Sequence, residues 1–484
     1  MKNKIIILSS CLGLCLFNFC VSTVKTATKT NKDKSLNIIF IAIDDMNNWV
    51  SCMGGQAQTP NIDALAARGV LFTNAHCAYP ACNPSRTAIM TGQRPETTGQ
   101  YENSGNFRNN AGGKERITLG QMLQTKGYET VAAGKIFHLP AGKGEKPSPV
   151  SDPVSWSYQF PNNTGTSGAN LYLDENGQAK WLEGILKKEL EGGKEPSYWS
   201  KSCIWGTTPQ KLHQTADWEN AQFCADFLQK KQEKPFFLTC GISRPHAPLI
   251  APKEYFDKYP LDKIKLHDLP DNDMDDIPDI AKKNFTSDMV SLIKEKDQLK
   301  KAVQAYLACM SFADDCVGQV LKSLENSPYK DNTIVVLWTD HGWQLAHKNR
   351  WEKYSLWHQA SNSPLIIQYP NMPNRGKRCN RAVSLMDLYP TMTDLLGLEK
   401  PKYTEGVSLF SLLQKPQAER TQPAVITYPK NSHAVAWNEW RYIHYNDGSE
   451  ELYNHKTDSN EWKNIANDPK NDKIKQQLAQ YIPK

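Results

Sequence analysis

Leu36-Asn37-Ile38-Ile39-Phe40-Ile41-Ala42-Ile43, followed at once by Asp44-Asp45, is the stretch from which the fold is read. The run is apolar and rich in β-branched residues, so it reads as a strand buried on both faces, the mark of a central sheet in an α/β fold. The two acids then stand at its carboxyl end, the edge where open α/β sheets bind ligands. The layout returns much later, where Asn332-Thr333-Ile334-Val335-Val336-Leu337-Trp338-Thr339 leads into Asp340-His341-Gly342. A third such strand, Pro235 to Cys240, runs toward Arg244-Pro245-His246. Helical patterns at 61–68, 119–126, 218–231 and 299–326 lie between them, which predicts a sheet with helices on both faces.

Residues 141–215 are rich in Gly, Pro, Ser and Asn and read as long surface loops or an insertion, as does the acidic stretch 261–288. Near residue 420 the texture changes to short strands with hairpin breaks such as Asn446-Asp447-Gly448, which predicts a small antiparallel sheet. The expected organisation is a main domain over 36–418 and a smaller C-terminal one over 419–484. No internal repeat or low-complexity tract is present.

Apolar residues make up 39% and charged residues 22% of the 484, an ordinary globular balance that excludes wholesale disorder. Net charge is +6, and near +3 once Lys2, Lys4 and Lys25 are set aside; with the basic residues spread out, nothing here reads as a nucleic-acid surface. Residues 1–27 have a basic start, an apolar middle and small residues at the exit, the layout of a secretory signal peptide. A single membrane anchor is the alternative, since the stretch approaches the roughly 20 residues a bilayer needs. Leu8-Ser9-Ser10-Cys11 also resembles a lipobox, although little apolar chain precedes it. No later stretch is apolar enough to span a membrane, so the mature chain is expected in the periplasm or outside the cell. Of twelve cysteines, Cys11, Cys15 and Cys20 fall in this leader, leaving an odd number. In an exported protein that points to one free or modified thiol. The others have no connectivity legible in the sequence, and several can be small buried hydrophobes.

The modified thiol is singled out by Cys82-Asn83-Pro84-Ser85-Arg86, followed by Thr91-Gly92-Gln93-Arg94-Pro95. The pair resembles the sulfatase signature, whose Cys-x-Pro-Ser-Arg core and downstream Thr-Gly-x-x-Pro direct oxidation of the cysteine to formylglycine. The resemblance implies an alkaline-phosphatase-like α/β fold with a mixed central sheet. It also implies a formylglycine-generating maturation enzyme as partner and sulfuric ester hydrolysis as the activity. Attack at the sulfur of a sulfate ester needs a strong oxygen nucleophile and neutralisation of spread negative charge. In the family one hydroxyl of the hydrated aldehyde attacks, and the other later expels sulfate.

Adjacent carboxylates at a strand end are costly unless a cation neutralises them, and hard oxygen donors suit Ca²⁺ or Mg²⁺. The resemblance implies one Ca²⁺ held by Asp44, Asp45, Asp340, His341 and the oxygen derived from Cys82. His341 stands where many sulfatases have Asn or Gln and matches the iduronate-2-sulfatase branch instead. Gly134-Lys135-Ile136-Phe137-His138 resembles the family's Gly-Lys-x-x-His element: Lys135 would hold sulfate and His138 would contact the nucleophile. By the same resemblance His246, in Arg244-Pro245-His246-Ala247-Pro248, would face the leaving oxygen, Lys353 would bind sulfate, and Arg86 would steady the hydrate. The likeness runs through nearly the whole mature chain and implies a sulfated saccharide substrate, with a 2-O-sulfated uronic acid suggested. Two rivals remain open at this level: a phosphate or phosphonate monoester hydrolase of the same superfamily, and a non-catalytic carbohydrate-binding relative.

Overall fold

The computed structural model describes residues 35–138, 151–161, 182–184, 204–286, 288–295 and 297–483. The leader, Cys203 and most of the 141–215 loop region lie outside the described residues.

Strand Asn37–Ile43 is buried at every position and pairs in parallel with Thr333–Thr339 on one side and Phe236–Ile242 on the other. These are the three strands expected from sequence. The register sets Ile43 level with both Thr339 and Ile242, so the chain leaves all three strands at one height. Asp44 and Asp340 therefore emerge side by side, with Asp44 N–H donating to the Ile242 carbonyl at 3.0 Å.

Among the described residues the full sheet has nine strands. Beyond Thr333–Thr339 come Asn362–Gln368, Val70–His76 and Lys377–Cys379, with Val383–Ser384 also pairing with Val70–His76; beyond Phe236–Ile242 come Glu129–Ala133 and Tyr158–Gln159. Asn362–Gln368 runs antiparallel to both of its neighbours, which makes the sheet mixed. Side chains alternate between two cores even along the fully buried strand. Ile39, Ile41 and Ile43 pack with helices Leu299–Glu325 and Ala216–Gln229, while Ile38, Phe40 and Ala42 pack with Ile89, Leu123 and Leu388 from the opposite layer.

The C-terminal strands Ala424–Thr427, His433–Trp437, Trp440–His444 and Glu450–Asn454 form the expected antiparallel sheet. One face shares a core with Phe285, Leu356 and Trp357, and the other packs Leu452 and Tyr442 on Leu478. Residues 261–288 depart from the loop reading. Asp279–Phe285 is a helix whose Ala281 and Phe285 are buried, Phe285 lying edge-on to Trp357 at 5.5 Å. An apolar contact remote in sequence outweighs the local polarity of that stretch. The loop reading also fails at Tyr158–Gln159, an edge strand of the central sheet, and at Leu182–Gly184, which pairs with Ile204–Thr208. All eight described cysteines after the leader are free thiols, most of them buried. No helix among the described residues is long and apolar enough to cross a membrane.

Candidate active site

Cys82 is the first residue of helix Cys82–Thr91, which is buried along its whole length. The motif around it has a local explanation. Pro84 sits in the first turn, where its missing N–H is not needed. Gly92 closes the helix in the left-handed region at φ 66°, and Pro95 opens the next short helix. The helix N-terminus thus sets its partial positive charge at the site, a setting suited to an anion, although the Asn83 N–H is taken by Asn103 Oδ1 at 3.0 Å and Pro84 has none.

Around Cys82 the strand ends deliver the predicted residues. Lys353 Nζ lies 3.2 Å from Cys82 Sγ and 2.7 Å from Asp45 Oδ1. His341 Nε2 lies 3.4 Å from the same sulfur and 3.2 Å from Asp45 Oδ1. His138 also hydrogen-bonds the Cys82 side chain. Lys135 Nζ contacts Asp44 Oδ2 at 2.5 Å. His246 stands at the edge, its Nε2 3.8 Å from Asp45 Oδ2.

Arg86 stands behind these groups. Its guanidinium is fully buried and donates to Asp340 Oδ2 at 2.8 Å, Asp44 Oδ1 at 3.1 Å and the Lys135 carbonyl at 2.6 Å. It ties two acids and the lysine loop together from behind. Tyr306, on helix Leu299–Glu325, has a similar supporting part: its hydroxyl donates to the Asp45 carbonyl at 2.7 Å and accepts from Asn47 N–H. These contacts brace Asp45, whose φ of 62° few non-glycine residues adopt. Sequence reasoning did not assign Tyr306 a part, because a tyrosine within an apolar helix carries no local sign of what its hydroxyl will reach.

Three buried carboxylates face three buried cations here, and their titration reflects it. Burial and the Cys82 charge work against ionisation of Asp44, yet Lys135 and Arg86 hold it well below the usual carboxylate range. Burial pushes Asp340 up to about 7 against the pull of Arg86 and His341. Burial disfavours a charged His341, but Asp340 lifts it to about 9. Burial likewise opposes a Cys82 thiolate, and Lys135, Lys353 and His341 outweigh it, drawing the thiol well below its ordinary value.

The residues fit a hard divalent cation. Asp44, Cys82, Asp340 and His341 each offer a ligand atom, all within 4.8 Å of one another. Asp45 Oδ2 is buried without a hydrogen-bond partner. His341 Nδ1 donates to the Gly342 carbonyl at 2.9 Å, so Nε2 faces the cluster, and a cation bound there would displace the Nε2 proton of the charged ring.

Lysines, a helix N-terminus and clustered acids at the carboxyl edge of a mixed α/β sheet suit hydrolysis of an anionic ester, and that is the class this chain falls in. It belongs to the sulfatase family: residues 36–398 match the sulfatase family, and residues 341–484 match the C-terminal family of N-sulphoglucosamine sulphohydrolase. A sulfatase of Formosa agariphila is 36% identical over the whole of this chain and 92% of its own. The iduronate 2-sulfatase of Mus musculus is 30% identical over 80% of this chain and 74% of its own. Among solved structures, one bound to its substrate D-glucosamine-2-N,6-O-disulfate superposes with a TM-score of 0.68. It covers 93% of this chain and 97% of its own at 21% identity, a likeness of fold. The fold is the alkaline-phosphatase-like one expected, and the chain is a sulfuric ester hydrolase.

Proposed function

We propose that this protein removes sulfate from a sulfated carbohydrate, with residue 82 as the nucleophile after conversion of Cys82 to formylglycine. The observation that carries the reading is the position of Cys82 Sγ, at a helix N-terminus within 3.2 Å of Lys353 and 3.4 Å of His341. The relatives support a sugar substrate: one acts on iduronate 2-sulfate by its name, and one solved neighbour holds a disulfated glucosamine. A hydrated aldehyde at position 82 would supply both the attacking oxygen and a second hydroxyl to release the sulfate. One Ca²⁺ held by Asp44, Asp45, Asp340, His341 and residue 82 would neutralise charge on the sulfate oxygens.

The chain's own residues do the rest. Lys135 and Lys353 exchange part of their contact with Asp44 and Asp45 for sulfate oxygens. Arg86 keeps the acids fixed while charge shifts, and His138 holds the side chain at position 82. His246 donates a proton from Nε2 to the departing sugar oxygen, since its Nδ1 proton is committed to the Ala247 carbonyl at 2.7 Å. The leader would export the chain before it acts, which cell fractionation can check.

Mass spectrometry of the peptide containing residue 82, from a host with the maturation machinery, should find a carbonyl in place of the thiol. Turnover should be measured with paired sulfate and phosphate esters of one alcohol and with defined sulfated uronates and hexoses. Full activity with unmodified cysteine, or preference for the phosphate ester, overturns the reading.

A further inference from the structure

Glu352 precedes the sulfate-facing Lys353, and the catalytic scheme above gives it no part. Its side chain is fully buried, and neither carboxyl oxygen has a hydrogen-bond partner. Its neighbours are engaged: Arg350 Nε donates to the Lys353 carbonyl at 2.7 Å, Lys353 reaches Asp45 at 2.7 Å, and Ser355 donates to Gln344. A buried carboxyl group with two unspent oxygens is costly and calls for a ligand. Glu352 ends the short strand Trp351–Glu352, directly before Lys353 in the chain, and the charges of Arg350, Lys353, Asp45 and His246 act on it.

Two further observations point the same way. Glu352 has φ 83°, and Ala346, Lys348, Asn349 and Tyr354 are also left-handed, so five non-glycine residues in this one segment hold disfavoured backbone conformations. Such strain concentrates at ligand clamps and active sites. Arg350 Nη2 is likewise buried without a partner, so an unspent donor lies in the same segment as the unspent acceptors. Burial raises Glu352 to about 7, so near neutrality its carboxyl group can both donate and accept. That donor and acceptor set matches a sugar hydroxyl and has nothing to match on an aromatic ring.

We propose that Glu352 is a substrate-binding residue whose carboxyl group takes a hydroxyl of the sugar that leaves from the sulfate ester, selecting sugar sulfates over aryl sulfates. The inference rests on the reading of the substrate as a sulfated carbohydrate and names a residue that would recognise it.

The test compares Glu352→Ala and Glu352→Gln with the wild type on a defined sulfated monosaccharide and on 4-nitrophenyl sulfate, alongside their melting temperatures. Glu352→Ala should lower kcat/KM on the sugar about 10- to 100-fold, the value of one such hydrogen bond, and lower the sugar-to-aryl ratio at least about tenfold. Glu352→Gln, which keeps a donor and an acceptor, should recover part of that ratio. A monodeoxy sugar sulfate lacking the engaged hydroxyl should show the loss in the wild type and no further loss in Glu352→Ala. Equal losses on both esters, an unchanged ratio, or additive losses with every deoxy sugar overturn the assignment. A wild type that cleaves the aryl ester but no sulfated sugar overturns the carbohydrate reading instead, a result separable from an active wild type with an unmoved ratio.

Discussion

His246 and Asp45 bear different parts of the chemistry, and single substitutions separate them. A sugar alkoxide is a poor leaving group and needs a proton, whereas nitrophenolate does not. His246→Ala should therefore slow a sulfated sugar about 10²- to 10⁴-fold and an aryl sulfate far less. Equal losses on the two esters, in a variant with unchanged melting, remove His246 from the acid role. Asp45→Asn, or chelation, should abolish turnover with the fold intact, because sulfate and the clustered carboxylates repel without a cation. Added Ca²⁺ should restore chelated enzyme; activity that survives verified metal removal excludes the calcium assignment. Gly134 shows how tightly the lysine loop is held. It has φ 69°, and a Cβ there would lie 2.0 Å from the Gly241 carbonyl oxygen. Gly134→Ala should displace Lys135 and cut kcat/KM by more than tenfold, a loss a surface glycine would not cause.

At the level of elements, the turn Leu385–Asp387 shows how segments far from the site are secured. Asp387 accepts from Ser384 N–H at 2.9 Å, from Val407 N–H at 2.7 Å and from Arg420 Nη2 at 2.6 Å, and both charged side chains are nearly buried. The pair thereby ties the start of helix Leu388–Leu395 to the segment entering the C-terminal sheet. Removing one member strands a buried charge, which typically costs about 3–5 kcal/mol. Arg420→Ala should lower unfolding stability by that amount in denaturant titrations while kcat changes little. A loss below about 1 kcal/mol, the worth of an exposed pair, would show that the contact anchors nothing.

Across the whole molecule, pH acts on stability through buried histidines and buried acids in opposite directions. His76 lies beneath the C-terminal sheet, its ring nitrogens on Ser361 at 3.1 Å and Asn74 at 2.8 Å. Burial, with Arg441 nearby, keeps its pKa well below 6.5. The unfolded chain therefore takes up a proton below about 6.5 that the folded one refuses, so this contribution is full above that pH and is lost as pH falls. Buried acids such as Glu352, raised to about 7, contribute the reverse, present in acid and lost as pH rises through 7. A comparison with His76→Gln cancels those acids. Between pH 7.5 and 5.5 the wild type should lose about 1 kcal/mol more stability than the variant, read as a steeper fall in melting temperature. Parallel profiles would show that His76 does not titrate differently in the two states.

Much of this protein was legible in its sequence because the deciding signals are local. Residues 38–43, 334–338 and 236–238 are unbroken apolar runs, so burial on both faces followed from composition, and each leads on to the residues that carry charge to the sheet edge. The short spacing from Cys82 to Pro95 encodes a helix start, a glycine stop and a second start, all set by backbone preferences. Strands 70–76 and 362–368 escaped because their flanking Thr, Asn and Ser residues mask the apolar pattern, and pairing with remote strands decides their state. The helix at 279–285 escaped for a related reason, since its partner Trp357 is distant in the chain. Only the tertiary structure decided what each charged group faces. It turned Arg86 toward Asp44 and Asp340, set the Tyr306 hydroxyl beneath Asp45, and left Glu352 buried with both oxygens unspent. A side chain's residue type tells what it can bind, but its partner is chosen by register and packing between segments hundreds of residues apart.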